Sequence, residues 1–425
     1  MKKILLFIIG FFLCTTNVYA KDNVYSINKY RDEEFKYILK SIDSKGYIAA
    51  GTFVKDEKEE DNKYDNTQVM VVKYEQNGNL LWNYHYGKTG DDQIYGLFYS
   101  YDEDKNKNGY IIVVKESIEK DEEEKNSLVL VVLDNDGKLV SEIPFSHDGI
   151  VTNILEVYDD NGNINGYLIS GHHNNQSFLL QCDLDFHEQW LKEYANYSSF
   201  QDIIYYNNRY IVIVREQESY KLLEIDKEGN VVSTIKDFFE EVDYPHLVST
   251  PSHFILYGFT KEVKLDKKDG ASFYLIQYNE ELKEDWETFG NIEVDINSYI
   301  ELQPICDLEN CREYQLLYTN GSDSSIEIIR IGLDGVVHNK IKKIKNNYYR
   351  INSFLSEDNI LYFIGQINCP DDDNCDYDTN SLFLVSNEDK VIEVKDNDSR
   401  NILFLLAFFF VIALMLILKR RKKKV

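Results

Sequence analysis

Apolar and polar positions alternate along most of this chain with a period of two, in runs of roughly six to ten residues bounded by turn-forming residues. That is the pattern of β-strands with one packed face. The clearest runs come in pairs. Residues 69–86 fold around Asn77-Gly78, 128–145 around Asp136-Gly137, 178–194 around Asp185-Phe186 and 220–236 around Glu228-Gly229. Residues 273–289 follow around Glu280-Glu281, 326–341 around Asp334-Gly335 and 382–394 around Glu388-Asp389. Asn-Gly and Asp-Gly in such a setting predict two-residue hairpin turns with both residues at positive φ. Ahead of each hairpin come an apolar strand, a strand such as Gly46-Tyr47-Ile48-Ala49-Ala50-Gly51, and a variable loop. The unit therefore has four strands, a to d, and its turns recur seven times at intervals of 43 to 59 residues.

Four strands in about 50 residues, seven times over, predict an all-β, seven-bladed β-propeller with four-stranded antiparallel blades over residues 21–395. Sandwiches in series would need linkers, and 5 Pro with no Ser/Gly-rich stretch leave none. A ring needs a closing strand. Residues 24–30 and 390–395 both read as a strand without its blade, and one of them is expected at the outer edge of blade 7.

The two ends read differently. Residues 1–20 carry Lys2-Lys3, an apolar run and small residues before Ala20, as in a cleaved secretory signal. Residues 402–418 form an unbroken apolar stretch, about 25 Å long as a helix and able to span a bilayer. The basic residues 419–424 follow in the tail 419–425, so the positive-inside rule keeps that tail cytoplasmic and residues 21–395 outside, with 396–401 as a juxtamembrane linker. The layout resembles a Gram-positive sorting tail, but residues 387–401 contain no Leu-Pro-x-Thr-Gly, so the helix is expected to be permanent. All 73 acidic residues fall between Lys21 and Arg400, while eight of the 46 basic ones lie outside, making the ectodomain more acidic than the net charge of −27. Such a field repels nucleic acid.

The stretch Val71-Val72-Lys73-Tyr74-Glu75-Gln76-Asn77-Gly78-Asn79-Leu80-Leu81-Trp82, followed by Tyr86-Gly87 and Gly90-Asp91-Asp92, resembles the repeat of secreted bacterial β-propellers, V-K-L-D-x-x-G-x-x-x-W-x-x-x-Y-G-G-x-x-D-D. It is similar also to the wider quinoprotein-like (PQQ-like) group. That resemblance implies a strand-d tryptophan docking on the next blade, for which Trp82, Trp190 and Trp286 stand in place. The group includes both cofactor-bearing dehydrogenases and non-enzymatic scaffolds. Two functions therefore stay open. One is a membrane-anchored binding or scaffolding module in a monoderm bacterium, with an extracellular protein or glycan as ligand. The other is a surface enzyme, glycan-active or quinone-dependent.

Catalytic motifs are missing: the sequence has no Gly-x-Ser-x-Gly, no phosphate-binding glycine loop and no His-Glu-x-x-His. A glycosidase pair of carboxylates needs only closeness in space and is invisible here. His172-His173 are adjacent on a strand, face opposite ways and make a poor metal site. Cys306 with Cys311, in an a–b connection, and Cys369 with Cys375, in a b–c connection, are expected as two local disulfides, leaving Cys182 a buried thiol. Acidic connections recur at 55–65, 119–125, 261–269 and 371–378, all between b and c, and at 102–108 between a and b. In the 371–378 loop Asp371, Asp373, Asp376 and Asp378 offer the oxygen ligands that Ca²⁺ takes, without the spacing of an EF-hand; solvated surface is the alternative.

Overall fold

The computed structural model describes residues 23–393 except 26–30, 56–65, 89, 121–122, 146–149, 160–161, 174–175, 218, 239–241, 261–271, 292–298, 308–309, 321–324, 346–348, 358–359, 369–378 and 388–391. The first strand, β1 (Asn23–Tyr25), stands apart from those that follow it. Blade 1 is β2 to β5 (Arg31–Lys40, Gly46–Lys55, Asn66–Glu75, Leu80–Tyr86), and blade 2 is β6 to β9 (Gln93–Tyr101, Lys107–Lys120, Glu123–Asp134, Leu139–Pro144). Blade 3 is β10 to β13 (Ile150–Tyr158, Ile164–His173, Gln176–Cys182, Glu188–Tyr194), and blade 4 is β14 to β17 (Ser199–Tyr206, Arg209–Glu216, Ser219–Ile225, Val231–Phe238). Blade 5 is β18 to β21 (Val242–Ser249, Phe254–Thr260, Ser272–Tyr278, Glu284–Asn291), and blade 6 is β22 to β25 (Ile300–Asp307, Asn310–Asn320, Ser325–Gly332, Val337–Lys345). Blade 7 has only β26 to β28 (Tyr349–Glu357, Ile360–Asn368, Thr379–Asn387) in sequence, and β1 completes it by pairing Asn23 with Val385 and Tyr25 with Phe383. The inner strands touch in succession and β2 touches β26, so the seven antiparallel blades form a closed ring.

Two expectations are corrected here. Among the described residues the hairpin expected over 382–394 does not form: the strand ending at Asn387 pairs with β27 and β1, not with Ile392–Glu393. Of the two spare segments, β1 closes blade 7, whereas β29 (Ile392–Glu393) lies parallel to β25 on the edge of blade 6. The six remaining c–d turns need one residue at positive φ, not two. Gly78 N donates to Glu75 O (2.9 Å) and Glu75 N to Asn79 O (2.8 Å), with a register shift at Lys73/Tyr74: a β-turn followed by one left-handed residue and a bulge. That residue is Gly in blades 1, 2, 4 and 6, but Phe186 (φ 62°) in blade 3 and Leu282 (φ 60°), not Glu281, in blade 5. An Asx side chain fixes these turns. Asp183 Oδ1 accepts the N–H of Asp185 (3.0 Å) and His187 (2.9 Å), and Asn279 Oδ1 accepts those of Glu281 (3.0 Å) and Lys283 (3.1 Å).

Burial follows position in the blade. Strand β19 is buried along its whole length and β3 to its penultimate residue, because middle strands are covered by a neighbouring blade on each side; the outer β9 alternates. The core is accordingly seven layers, one between each pair of successive blades. Ile48, Val71, Ile112 and Val131 mark the layer between blades 1 and 2.

The three tryptophans pack these layers at the rim, as the family resemblance implies. Trp82 donates its indole N–H to Asn135 O (3.3 Å) and covers Gly137 of blade 2; Trp286 donates to Leu333 O (2.8 Å) and covers Gly335 of blade 6; Trp190 covers Gly229 of blade 4. Any Cβ on these glycines would collide with the indoles. At the closure Tyr25 takes the tryptophan's place, lying against Gly78 with its hydroxyl on Asn77 O.

Candidate functional site

Strand order gives the ring two faces. The a–b and c–d connections lie on one, the turn face; the b–c and d–a connections lie on the other, the loop face. Around the axis, the inner strand of each blade has one edge without a neighbouring strand. Its N–H and C=O groups need other partners.

Side chains of adjacent blades supply them. Strand β14 bulges between Phe200 and Asp202, and Asp202 then reaches both neighbours: Oδ1 accepts Asn153 Nδ2 of blade 3 (2.8 Å) and Oδ2 accepts the Leu247 N–H of blade 5 (2.9 Å). His246 Nδ1 stands 3.5 Å from the same Oδ2. In blade 6, Glu301 accepts the Phe354 N–H of blade 7 (3.2 Å), the Tyr299 hydroxyl (2.7 Å), Gln303 Nε2 (3.1 Å) and Ser353 Oγ (3.4 Å). Burial pushes the Glu301 carboxyl up, and these donors pull it back. Asn352 of blade 7 donates to Glu34 Oε1 (2.8 Å) and Phe35 O (2.7 Å) of blade 1. These side chains thus stitch blades 3, 4 and 5, and blades 6, 7 and 1, to their neighbours around the axis. None of them stood out in the sequence. The only signal was a pair of polar residues between two apolar ones, as in Phe200-Gln201-Asp202-Ile203, which is also how a bulge reads.

On the loop face the b–c hairpin of blade 2 runs on beyond the inner strand of its blade. Residues 119–125, expected as a loop, are largely strand: the β7–β8 ladder runs on past Lys115, where β6 stops pairing, to Lys120↔Glu123, about 17 Å of extra ribbon. At its root sits the Gly90-Asp91-Asp92 corner. Asp92 is fully buried, accepting the N–H groups of Lys88 (2.9 Å) and Ser117 (2.8 Å), and Asp91 accepts the Thr67 N–H (3.1 Å). Burial raises the Asp92 carboxyl to about 6, against the pull of its two N–H donors and with added repulsion from Glu116 and Asp91. The corner therefore clamps blade 1 to blade 2.

Cys306 and Cys311 face each other across the β22–β23 turn and are joined as a disulfide. Cys182 is free and buried, and burial pushes its thiol up to about 12, so it is inert. His172 and His173 lie on β11, the first half-buried with its pKa lowered by burial, the second exposed. Cys369, Cys375, Asp371, Asp373, Asp376 and Asp378 lie outside the described residues, as do 56–65, 261–269 and the apolar ends. Among the described residues, one trio of two carboxylates and an imidazole, Asp183, Asp185 and His187, brings its ligand atoms within 4.8 Å of one another, but this is the Asx turn of blade 3. No helix of the described residues is long and apolar enough to cross a membrane.

Comparison with protein-family models and with curated proteins returns no match. Solved structures do match. The Dos1 propeller is similar at a TM-score of 0.52 and 9% identity, over 87% of this chain and 95% of that one. The architecture is shared with a known propeller. Weaker likenesses are Chaetomium thermophilum Sqt1, solved with the N-terminus of ribosomal protein L10 (TM-score 0.46, 11% identity, 85% and 99% covered), and a functionally unknown protein from Desulfotomaculum acetoxidans (0.43, 12%, 72% and 84%). At such identities the likeness is one of fold.

Proposed function

We propose that this chain is a membrane-anchored propeller of the outer cell surface, of the secreted bacterial kind, that binds a cationic extracellular protein or glycan through its loop face. The carrying observation is the contrast between that face and the axis. The inner-strand carboxylates Asp202 and Glu301 are engaged by the backbone of the next blade, whereas the loop face carries the projecting β7–β8 hairpin and the acidic connections. Loops held by a rigid scaffold are where such folds bind. The surface-enzyme reading needs carboxylates or a cofactor base free for chemistry, and has less support for that reason.

The signal at 1–20 and the span at 402–418 support the address. Protease applied to intact cells should release an ectodomain fragment and leave residues 402–425 in the membrane fraction. A photo-crosslinking residue in place of Glu122, in the chain between β7 and β8, should trap a discrete adduct on cells, and one in place of Val232, on the outer strand of blade 4, should not. No adduct from Glu122, or equal adducts from both, would reject the loop face. The acidic 371–378 loop is proposed to take Ca²⁺. Millimolar calcium should raise the melting temperature, and Asp373→Ala with Asp376→Ala should remove the rise.

A further inference from the structure

Aromatic docking at the rim is not uniform around the ring. Four residues beyond the left-handed turn residue stands Trp82 in blade 1, Trp190 in blade 3 and Trp286 in blade 5, but Ser141 in blade 2 and Ser233 in blade 4. The receiving turns vary in step. Each tryptophan meets a glycine, whereas Ser141 and Ser233 face the turns that carry Phe186 and Leu282. A small residue on one side is thus matched by a large one on the other.

The match is incomplete between blades 2 and 3. Leu282 packs against the layer between blades 4 and 5. Phe186 packs against the layer between blades 2 and 3 by lying flat on Tyr167 of its own blade, ring centroids 4.8 Å apart and planes 5° from parallel, and so leaves the side toward Ser141 open. A cleft of about 300 Å³ remains, lined by Leu133, Val140, Ser141 and Ile143 of blade 2 and by Leu184 and Phe186 of blade 3. That is the lower end of the size range of small-ligand sites. The carbonyls that accept the indoles of Trp82 and Trp286 belong to the residue two before the left-handed one; in blade 3 that residue is Leu184, in the cleft wall. Asp134 and Asp185 add negative charge, and Val140, 64% exposed, rims the opening.

We propose that this cleft receives an indole side chain from a partner polypeptide with basic residues beside the tryptophan, making in trans the contact that Trp82 and Trp286 make in cis. The ring would lie against Phe186 with its N–H toward Leu184 O, and the basic flanks would meet Asp134 and Asp185. The site is on the turn face and stands apart from the loop-face reading above.

The test uses the purified full-length chain and three capped peptides, Lys-Trp-Lys, Lys-Ala-Lys and Glu-Trp-Glu, with binding followed by ligand-observed NMR. Saturable binding of the first, at least tenfold weaker binding of the other two, and at least tenfold loss in Ser141→Trp with Phe186→Gly are expected. That double variant rebuilds the internal contact and plugs the cleft; if its melting temperature falls, Ser141→Phe serves as a plug that leaves the turn intact. Equal binding of Lys-Ala-Lys, unchanged affinity in the plugged chain, or no binding by Lys-Trp-Lys overturns the proposal. The crosslink at Glu122 is unaffected in every case.

Discussion

The seam between blades 7 and 1 and the seam between blades 2 and 3 have the same architecture and opposite finish. At the first, Tyr74 stacks on Phe383 (4.5 Å, 8°), Tyr47 packs on Tyr362 (4.0 Å), and Tyr25 covers Gly78. Polar links join it too: Lys40 and the Tyr47 hydroxyl (2.7 Å) bind Glu357, and buried Glu33 accepts Ser381 Oγ (2.9 Å). At the second, the rim tryptophan is replaced by serine and a cleft is left open. Blades 2 and 3 are consecutive in sequence, so a short connection holds them at high effective concentration, as for any linked pair. Strands β26 to β28 reach blade 1, and β1 that precedes it in sequence, only after the chain has gone round the ring. They are held there by contacts, among them three ring pairs across the seam, Tyr47 with Tyr362, Tyr47 with Phe383 and Tyr74 with Phe383.

The largest effect is expected at Phe383. Phe383→Ala should cost about 3–5 kcal/mol in urea unfolding, with early loss of blade 7 protection in hydrogen exchange. A cost below that of a comparable truncation at the other seam, Ile143→Ala, would break the comparison. Tyr25→Ala should cost about 2 kcal/mol, since a half-buried ring and its hydrogen bond are lost. Glu357 sharpens the contrast through pH. Burial alone would raise its carboxyl, but Lys40 and Tyr47 hold it below the ordinary 4.5. Its contribution is then fully present above that value and lost as pH falls through the lower folded value. The stability gap between the wild type and Glu357→Gln should be constant near neutrality and close on acidification; a gap that widens in acid would contradict the ion pair. The smallest effect is a gain. Ser141→Leu, partly filling the open cleft, should stabilise by about 1 kcal/mol in thermal melting.

How far the sequence could be read depended on what each feature needs locally. Seven repeats and their strands were legible because a sheet covered on both faces leaves long apolar b and c strands and a turn that must reverse tightly, as at Gly78 and Gly137. The closing strand was not, because Val24 and Ile392 sit in equally alternating segments and only three-dimensional proximity separates them. The turn type was misjudged because an Asn-Gly pair suits both a two-residue turn and a turn with one left-handed residue. The roles of Asp202 and Glu301 were hidden by distance: each accepts a backbone N–H of the next blade, 45 and 53 residues away. The blade 2 vacancy, by contrast, was written in two letters, Ser141 for tryptophan and Phe186 for glycine.

Strand β29 gives the ring a direction under load. A pull on the chain beyond Glu393 reaches first the two residue pairs that hold Ile392 and Glu393 to Ile344 and Lys345, a short parallel contact that can yield without disturbing any blade. Only then does tension reach β28, which is gripped on one side by β27 from Asn387↔Ile360 to Thr379↔Asn368 and on the other by β1. Had the C-terminus supplied the closing strand, the same pull would peel that strand from the edge one bond at a time. Because the N-terminal strand does the sealing, force arriving from the C-terminal side meets a strand flanked by two others.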